Sequence, residues 1–227
     1  MKKDKNSLKK QSRKYFLGID DFGYLMPNFD ILLRLKKTYP DFKITLFTVA
    51  LPHQILIKEN LKYFSEEKYK KWAEMINSYD WIQIAVHGLY HTHGEMLLGY
   101  EKTKMLIQAI ENVFKRIGLK YVKLVKAPYW QYSWFALKAL RDKGYAVALD
   151  RNHPMEVPKN IKHFYYNWSY NEPLPDKDII IGHGHLFKGG HKNDIETCFE
   201  NILNNIPLDA KFGFLDEVIS NNSKNGK

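Results

Sequence analysis

Three histidines, His87, His91 and His93, fall within seven residues of the stretch AVHGLYHTHGEM. Two neutral imidazoles and one carboxylate make a common divalent-metal site that leaves positions open for water and substrate. On a helix, the four-residue spacing of His87 and His91 points both rings to one side; a loop curling at Gly88 can do the same. His93 reads as a surface residue. Far upstream stand two adjacent carboxylates, Asp20 and Asp21. Side chains alternate along an extended backbone, so one of these can reach a metal while the other faces the reacting water. The competing reading is an Asp pair that caps the turn DDFG. A second histidine pair, His183 and His185, sits in GHGH, and alternation puts both on one face.

These groups need a scaffold that brings distant positions together. Apolar runs alternate with helical patterns. Strands are expected at 14–19, 43–50, 81–86, 122–127, 145–150, 162–169 and 178–185, with a last one at 211–218. Amphipathic helices are expected at 28–39, 65–78, 100–118, 133–144 and 195–205. Ser65 is a suitable N-cap for its helix, and Gly118 and Gly144 are C-terminal stops. Such alternation implies a parallel sheet with helices outside. The expected fold is α/β, an irregular (β/α) barrel of about seven parallel strands. It occupies 14–220 as a single domain between a basic, disordered tail (1–13) and a short disordered tail (221–227). Asp20-Asp21, His87, Asp150 and His183 each fall where a strand ends, and Pro128-Tyr129-Trp130 follows another. Barrel active sites lie at the C-terminal strand ends.

Composition narrows the class. With 227 residues, 44% hydrophobic, the chain is an ordinary globular domain. The net charge of +10 fits a lysine-rich surface or steering toward an anionic ligand. The basic residues are dispersed and no recognition motif is present, which argues against nucleic-acid binding. One cysteine, Cys198, permits no intrachain disulfide. The apolar run after the basic start is broken by two aspartates, so it is a poor signal core and too short to span a bilayer. A cytoplasmic location without a transmembrane segment is expected. His53, His153, His163 and His191 have no evident partner and read as surface residues.

The ordered set of short motifs resembles the polysaccharide deacetylase family, the NodB-homology domain. That family carries Thr-Phe-Asp-Asp-Gly where this chain has GIDDFG, and His-Ser/Thr-x-x-His where it has HGLYH. Arg-x-Pro-Tyr/Phe corresponds to KAPYW, a later Asp motif to Asp150, and a His after apolar residues to IIIGH. The resemblance implies a metal-dependent hydrolase that removes an acetyl group from an N-acetylated sugar. It implies Zn2+ or another divalent metal held by Asp21, His87 and His91. It also implies Asp20 as general base, Tyr129 as oxyanion donor through its backbone N–H, and His183 as general acid, with His185 the second candidate. Lys126 and Asp150 occupy the places that orient the base. Trp130, Tyr129 and His185 are expected to touch the substrate. A sugar carried on a nucleotide or lipid, in cell-surface polysaccharide biosynthesis, fits the expected location. Three departures stand out: Phe22 for the first-motif Gly, Gly88 for Ser/Thr, and Lys126 for Arg. A lysine cannot make the two-pronged contact of a guanidinium with a carboxylate. The alternative is a catalytically degenerate member that binds carbohydrate or a partner.

Overall fold

Parallel strands build the described chain, joined by helical crossovers except over residues 150–178, where loops connect them. The structure is a computed structural model describing residues 13–24, 29–51, 65–185 and 195–222. The expectations for His53, His191 and tail positions 1–12 and 223–227 lie outside these residues. The strands are β1 (Lys14–Phe22), β2 (Ile44–Thr48), β3 (Ile82–Val86), β4 (Leu124–Val125), β5 (Ala146–Leu149), β6 (His163–Tyr165), β7 (Trp168–Ser169), β8 (Ile179–His185) and β9 (Lys211–Gly213). The helices are α1 (Phe29–Thr38), α2 (Glu66–Asn77), α3 (Tyr100–Ile117), α4 (Trp134–Asp142), α5 (Ile195–Asn205) and α6 (Leu215–Asn222). The strand order is β6-β5-β4-β3-β2-β1-β8-β7, with all pairs parallel.

The single strand expected at 162–169 is split, and the split closes the barrel. Its first half, β6, pairs with β5, and its second half, β7, pairs with β8. The handover lies between them. Tyr166 N donates to Leu149 O at 3.2 Å, while Asn167 N donates to Ile181 O at 3.0 Å. The Asn167 side chain extends the second ladder, accepting from Ile181 N and donating to Ile179 O, both at 2.9 Å. Residues 163–169 thus act as one bent strand joining the two ends of the sheet.

The stretch 211–218 is corrected. Only Lys211–Gly213 is strand, pairing with the start of β1, and the chain then becomes α6, which continues to Asn222. Leu215, Val218 and Ile219 belong to the apolar cluster that fills the barrel, with Phe16, Phe47, Leu124, Phe164 and Ile181. A helix there covers the N-terminal end of the barrel with side chains that an extended strand would have left to solvent. The larger cluster lies between strands and outer helices, and includes Leu17, Ile19, Leu46, Ile84 and Val147.

Strand period two then sets the site. Interior positions of β1 run Phe16, Gly18, Asp20; those of β8 run Ile181, His183, His185; those beginning at Leu124 and Ala85 reach Lys126 and His87 one step beyond each strand. Apolar residues occupy the lower layers, and polar ones the C-terminal ends.

Candidate metal centre

Asp21 sits where the strand geometry breaks. The β1–β2 register shifts between Ile19 and Phe22, and Asp21 has φ 57°. This left-handed residue turns the second carboxylate toward the same mouth as the first, which plain alternation forbids. Among the described residues, the other non-glycine positions with positive φ are His91, Tyr129, Trp130 and Asn160. All but Asn160 belong to the expected site, and strained backbone of this kind gathers at functional sites.

The structure brings Asp21, His87 and His91 together, with one donor atom from each within 4.8 Å of the others. Asp21 Oδ1 lies 3.0 Å from His87 Nε2 and 2.7 Å from His91 Nε2. His87 Nδ1 lies 2.8 Å from Lys126 O. A carbonyl only accepts, so Nδ1 carries the proton there. In the neutral ring Nε2 is then a lone pair aimed at a carboxylate oxygen. Two acceptors at that distance repel, and either a second ring proton or a divalent cation between them resolves the conflict. The donor set, one carboxylate and two imidazoles, suits Zn2+ or a similar ion. Burial raises the pKa of Asp21; without a metal, hydrogen bonds donated by the facing imidazoles of His185, His87 and His91 outweigh it and hold the acid far below the usual carboxylate range.

Asp20 also faces the barrel interior, with His185 between it and Asp21, and is fully buried together with Lys126. The Lys126 ammonium pairs with Asp20 Oδ2. It also lies 3.7 Å from the Trp130 ring centroid, 5.1 Å from Tyr166 and 5.9 Å from Phe47. An aromatic box and one carboxylate thus hold a point charge where a guanidinium fork would need more room. Burial raises the Asp20 pKa, but Lys126, with help from His183 and His185, outweighs it and keeps the acid ionised. Its second oxygen, Oδ1, is buried with no hydrogen-bond partner in the described structure, an acceptor that awaits a donor.

The two β8 histidines differ. His183 Nδ1 is 3.6 Å from Asp20 Oδ2, and its ring packs against Trp130 (5.1 Å) and Tyr166 (4.8 Å). Burial, then the Lys126 charge, lower its pKa to about 4. His185 Nδ1 is 3.1 Å from Asp21 Oδ2, and its Nε2 is 3.9 Å from Asp20 Oδ2. Burial works against its charge, but the two aspartates more than compensate and raise its pKa. The intervening glycines are required by packing: a Cβ on Gly184 would come within 2.3 Å of Tyr170 Cδ2.

Other expected residues stand at the margin of this cluster. Tyr129 is exposed, with its ring 5.2 Å from both His91 and His93. Trp130 is not an open platform, since it covers Lys126 and meets His183 edge-on. Asp150 accepts from Asn152 N at 2.9 Å and contacts His153 Nδ1 at 2.6 Å. These hydrogen bonds lie within its own turn, and Asp150 acts on Lys126 only through its charge. His153 thus has a partner, and His163 Nδ1 contacts Ile161 O at 3.2 Å.

Sequence reasoning missed Glu95. Its carboxylate is buried beneath the histidine loop and accepts from Leu89 N at 2.9 Å and Tyr90 N at 3.0 Å through Oε1. Gly88 has φ 93°, and a Cβ there would lie 2.4 Å from Glu95 Oε2. The glycine that replaces Ser/Thr therefore makes room for a brace supplied seven residues later. The signal was present as an acid in HGEM close behind the histidines.

No protein-family model and no curated protein matches the sequence. Solved structures do match the folded chain. The Xyl-CE4 domain of a multidomain xylanase from the hindgut metagenome of Trinervitermes trinervoides has a TM-score of 0.53 at 11% identity, over 93% of this chain and 92% of that one. A peptidoglycan N-acetylglucosamine deacetylase has a TM-score of 0.60 at 15% identity, over 91% and 88%. A CE4 family pseudoenzyme from Bacillus anthracis has a TM-score of 0.56 at 15% identity, over 92% and 66%. No described helix is long and apolar enough to cross a membrane. At identities this low the likeness is one of architecture: the chain has the distorted (β/α) barrel fold of the CE4 carbohydrate esterases.

Proposed function

We propose that the protein is a metal-dependent hydrolase that removes the acetyl group from an N-acetylated sugar. The observation that carries this reading is the convergence of Asp21, His87 and His91, with His87 Nε2 3.0 Å from Asp21 Oδ1. Those three side chains would hold a divalent metal. When bound, it supplies Lewis acidity and lowers the pKa of a water.

The chain's own residues supply the rest. Asp20, ionised and with Oδ1 unpartnered, accepts the proton of the attacking water. Lys126 fixes Asp20 Oδ2 and leaves Oδ1 to do this. Tyr129 holds a left-handed conformation at the mouth, where its backbone N–H serves a developing oxyanion. A proton donor to the leaving amine must carry its proton near neutrality. His183, lowered to about 4 by burial and the Lys126 charge, is neutral there, and the raising of His185 comes through Asp21 and Asp20. Both histidines therefore stay candidates for the donor, His183 against Asp20 and His185 between the two aspartates. The nucleotide- or lipid-linked carrier rests on the expected location and on the basic surplus, a net charge of +10.

The test is acetate release from N-acetylated sugars with bound metal quantified. Asp21→Ala and His87→Ala should each abolish both. Full activity in both variants would end this reading. The second reading, a binding protein without turnover, is favoured by Lys126 in place of Arg. Stoichiometric metal without acetate release across a panel of acetylated sugars would select it.

A further inference from the structure

A cavity of about 190 Å3 opens beside His183, and none of the three metal-site residues lines it. Trp130, Tyr166 and His183 form one part of its wall, and Asp150, Arg151 and Glu172 another. It is smaller than the roughly 300–1,000 Å3 of ordinary small-molecule sites and equals the volume of about six waters. It therefore takes one ring and not an oligosaccharide.

The charges on its wall are fixed. The Arg151 guanidinium pairs with Glu172, and its Nη1 donates to Asn167 O at 2.5 Å. The Trp168 indole donates to Glu172 O at 2.9 Å and steadies that residue's backbone. Asp150 is kept ionised by the Asn152 amide and His153, against the effect of burial. Two carboxylates thus face the cavity against one guanidinium. A phosphate or carboxylate entering it meets an excess of like charge. A hydroxyl both donates and accepts, so vicinal hydroxyls suit a fixed carboxylate–guanidinium pair.

We infer that this cavity is a specificity subsite that seats one neutral, hydroxylated ring, read by Arg151 and Glu172, and rejects the same ring bearing an anionic substituent. This rests on the deacetylase reading above and narrows its substrate to a ring that is uncharged at the scissile sugar. Any phosphate of a carrier then lies outside the cavity.

The test is calorimetric or ligand-observed NMR binding to the full chain, with and without added Zn2+. The probes are glucose, glucose 6-phosphate and cyclohexanol, with glucosamine, whose ammonium group is cationic, as a charge control. None of them carries an acetyl group, so turnover does not interfere. Glucose should bind at least about tenfold more tightly than its 6-phosphate, and cyclohexanol should not bind. Arg151→Leu should weaken glucose binding by about tenfold, and Arg151→Lys by less. Glu172→Gln should bring glucose and its 6-phosphate to within about threefold of each other. Thermal melting of each variant checks folding, and Arg151 and Glu172 are partly exposed, so the wild-type melt should persist. Equal binding of the phosphate form, binding of cyclohexanol as tight as glucose, binding of glucosamine alone, no sugar binding, or unchanged preference in both variants would each overturn the inference. Acetate release is a separate readout. A protein with these preferences and no acetate release keeps the subsite and loses the deacetylase reading.

Discussion

Replacing Lys126 with methionine isolates what the buried ion pair does. Lys126 and Asp20 are 2% and 0% exposed, so the variant leaves a carboxylate in the barrel with no counter-charge. Breaking a buried pair from one side costs about 3–5 kcal/mol, and losing the cation over Trp130 adds up to about 2. Against a total stability of about 5–15 kcal/mol, Lys126→Met should be barely folded. Removing both charges is different. In Lys126→Met/Asp20→Asn nothing ionic is stranded, so the double variant should be more stable than Lys126→Met alone, with a coupling of about 2 kcal/mol or more. Urea unfolding of the metal-free protein measures this, provided the denaturant slope is unchanged. The box also makes a prediction for Lys126→Arg, which matches the family motif. Three rings already surround Nζ at 3.7 to 5.9 Å, so the larger head group overpacks and costs about 1–3 kcal/mol. A Lys126→Met variant within about 1 kcal/mol of wild type, or strictly additive single changes, would refute the reasoning.

Glu95→Ala leaves two part-buried backbone donors, Leu89 N and Tyr90 N, without their acceptor, a loss of about 1–2 kcal/mol. It should weaken Zn2+ binding by about 10- to 100-fold in a competition titration; unchanged affinity would remove Glu95 from the histidine loop's support. The His183 pKa is lowered to about 4 from an ordinary value near 6.5. The unfolded chain therefore takes up this proton first as pH falls. Stability should drop between about pH 6.5 and 4, then level off, by about 2 kcal/mol for a ring not wholly excluded from water. Metal-free His183→Gln should lack that component in urea midpoints across pH, and parallel profiles would contradict it. Gly184→Ala drives a Cβ into Tyr170, whose hydroxyl is anchored on Gly18 O at 2.9 Å. It should cost about 2 kcal/mol and lower the melting temperature by about 5 °C; an unchanged melt would mean that the ring yields.

What could be read in the sequence was what repeats locally. Apolar period two along β1 and β8 and amphipathic spacing in α3 place the polar residues at strand ends, which is where the barrel puts Asp20, His87 and His183. What was hidden depends on contacts across the barrel. Phe47, Trp130 and Tyr166 come from three separate strands or strand ends to enclose Lys126. No local pattern announces such a box. The handover at Tyr166-Asn167 was hidden because one apolar run serves two neighbours. The stretch 211–218 was misread because a three-residue strand and a helical turn share the same apolar spacing. Asp150 ends β5 as a functional carboxylate would, but Asn152 and His153, in the polar run that follows it, draw its hydrogen bonds into a turn.

Two of the three departures from the family motifs, at positions 88 and 126, have the same physical form. At position 88 a side chain is lost and Glu95 fills the space. At position 126 a fork is lost and three rings enclose the remaining charge. At each position part of the substitute is satisfied, Glu95 Oε1 by two loop amides and Lys126 by Asp20 Oδ2, while one buried oxygen of each carboxylate, Glu95 Oε2 and Asp20 Oδ1, has no hydrogen-bond partner in the described structure. Compensation of this kind makes the residues interdependent, which can be measured. Gly88→Ser restores the family residue but places its Cβ 2.4 Å from Glu95 Oε2 and 3.0 Å from Pro128 Cγ, at φ 93°. Alone it should lower both the melting temperature and Zn2+ affinity. Glu95→Ala alone should also lower both. Together the smaller residue at 95 removes the principal clash and the new hydroxyl can reach the loop amides. The double variant should therefore bind Zn2+ more tightly than the sum of the single losses allows, while still bearing about 1 kcal/mol for the left-handed backbone. If the two losses add instead, Glu95 does not stand in for the missing side chain, and the loop that carries His91 is held by something else.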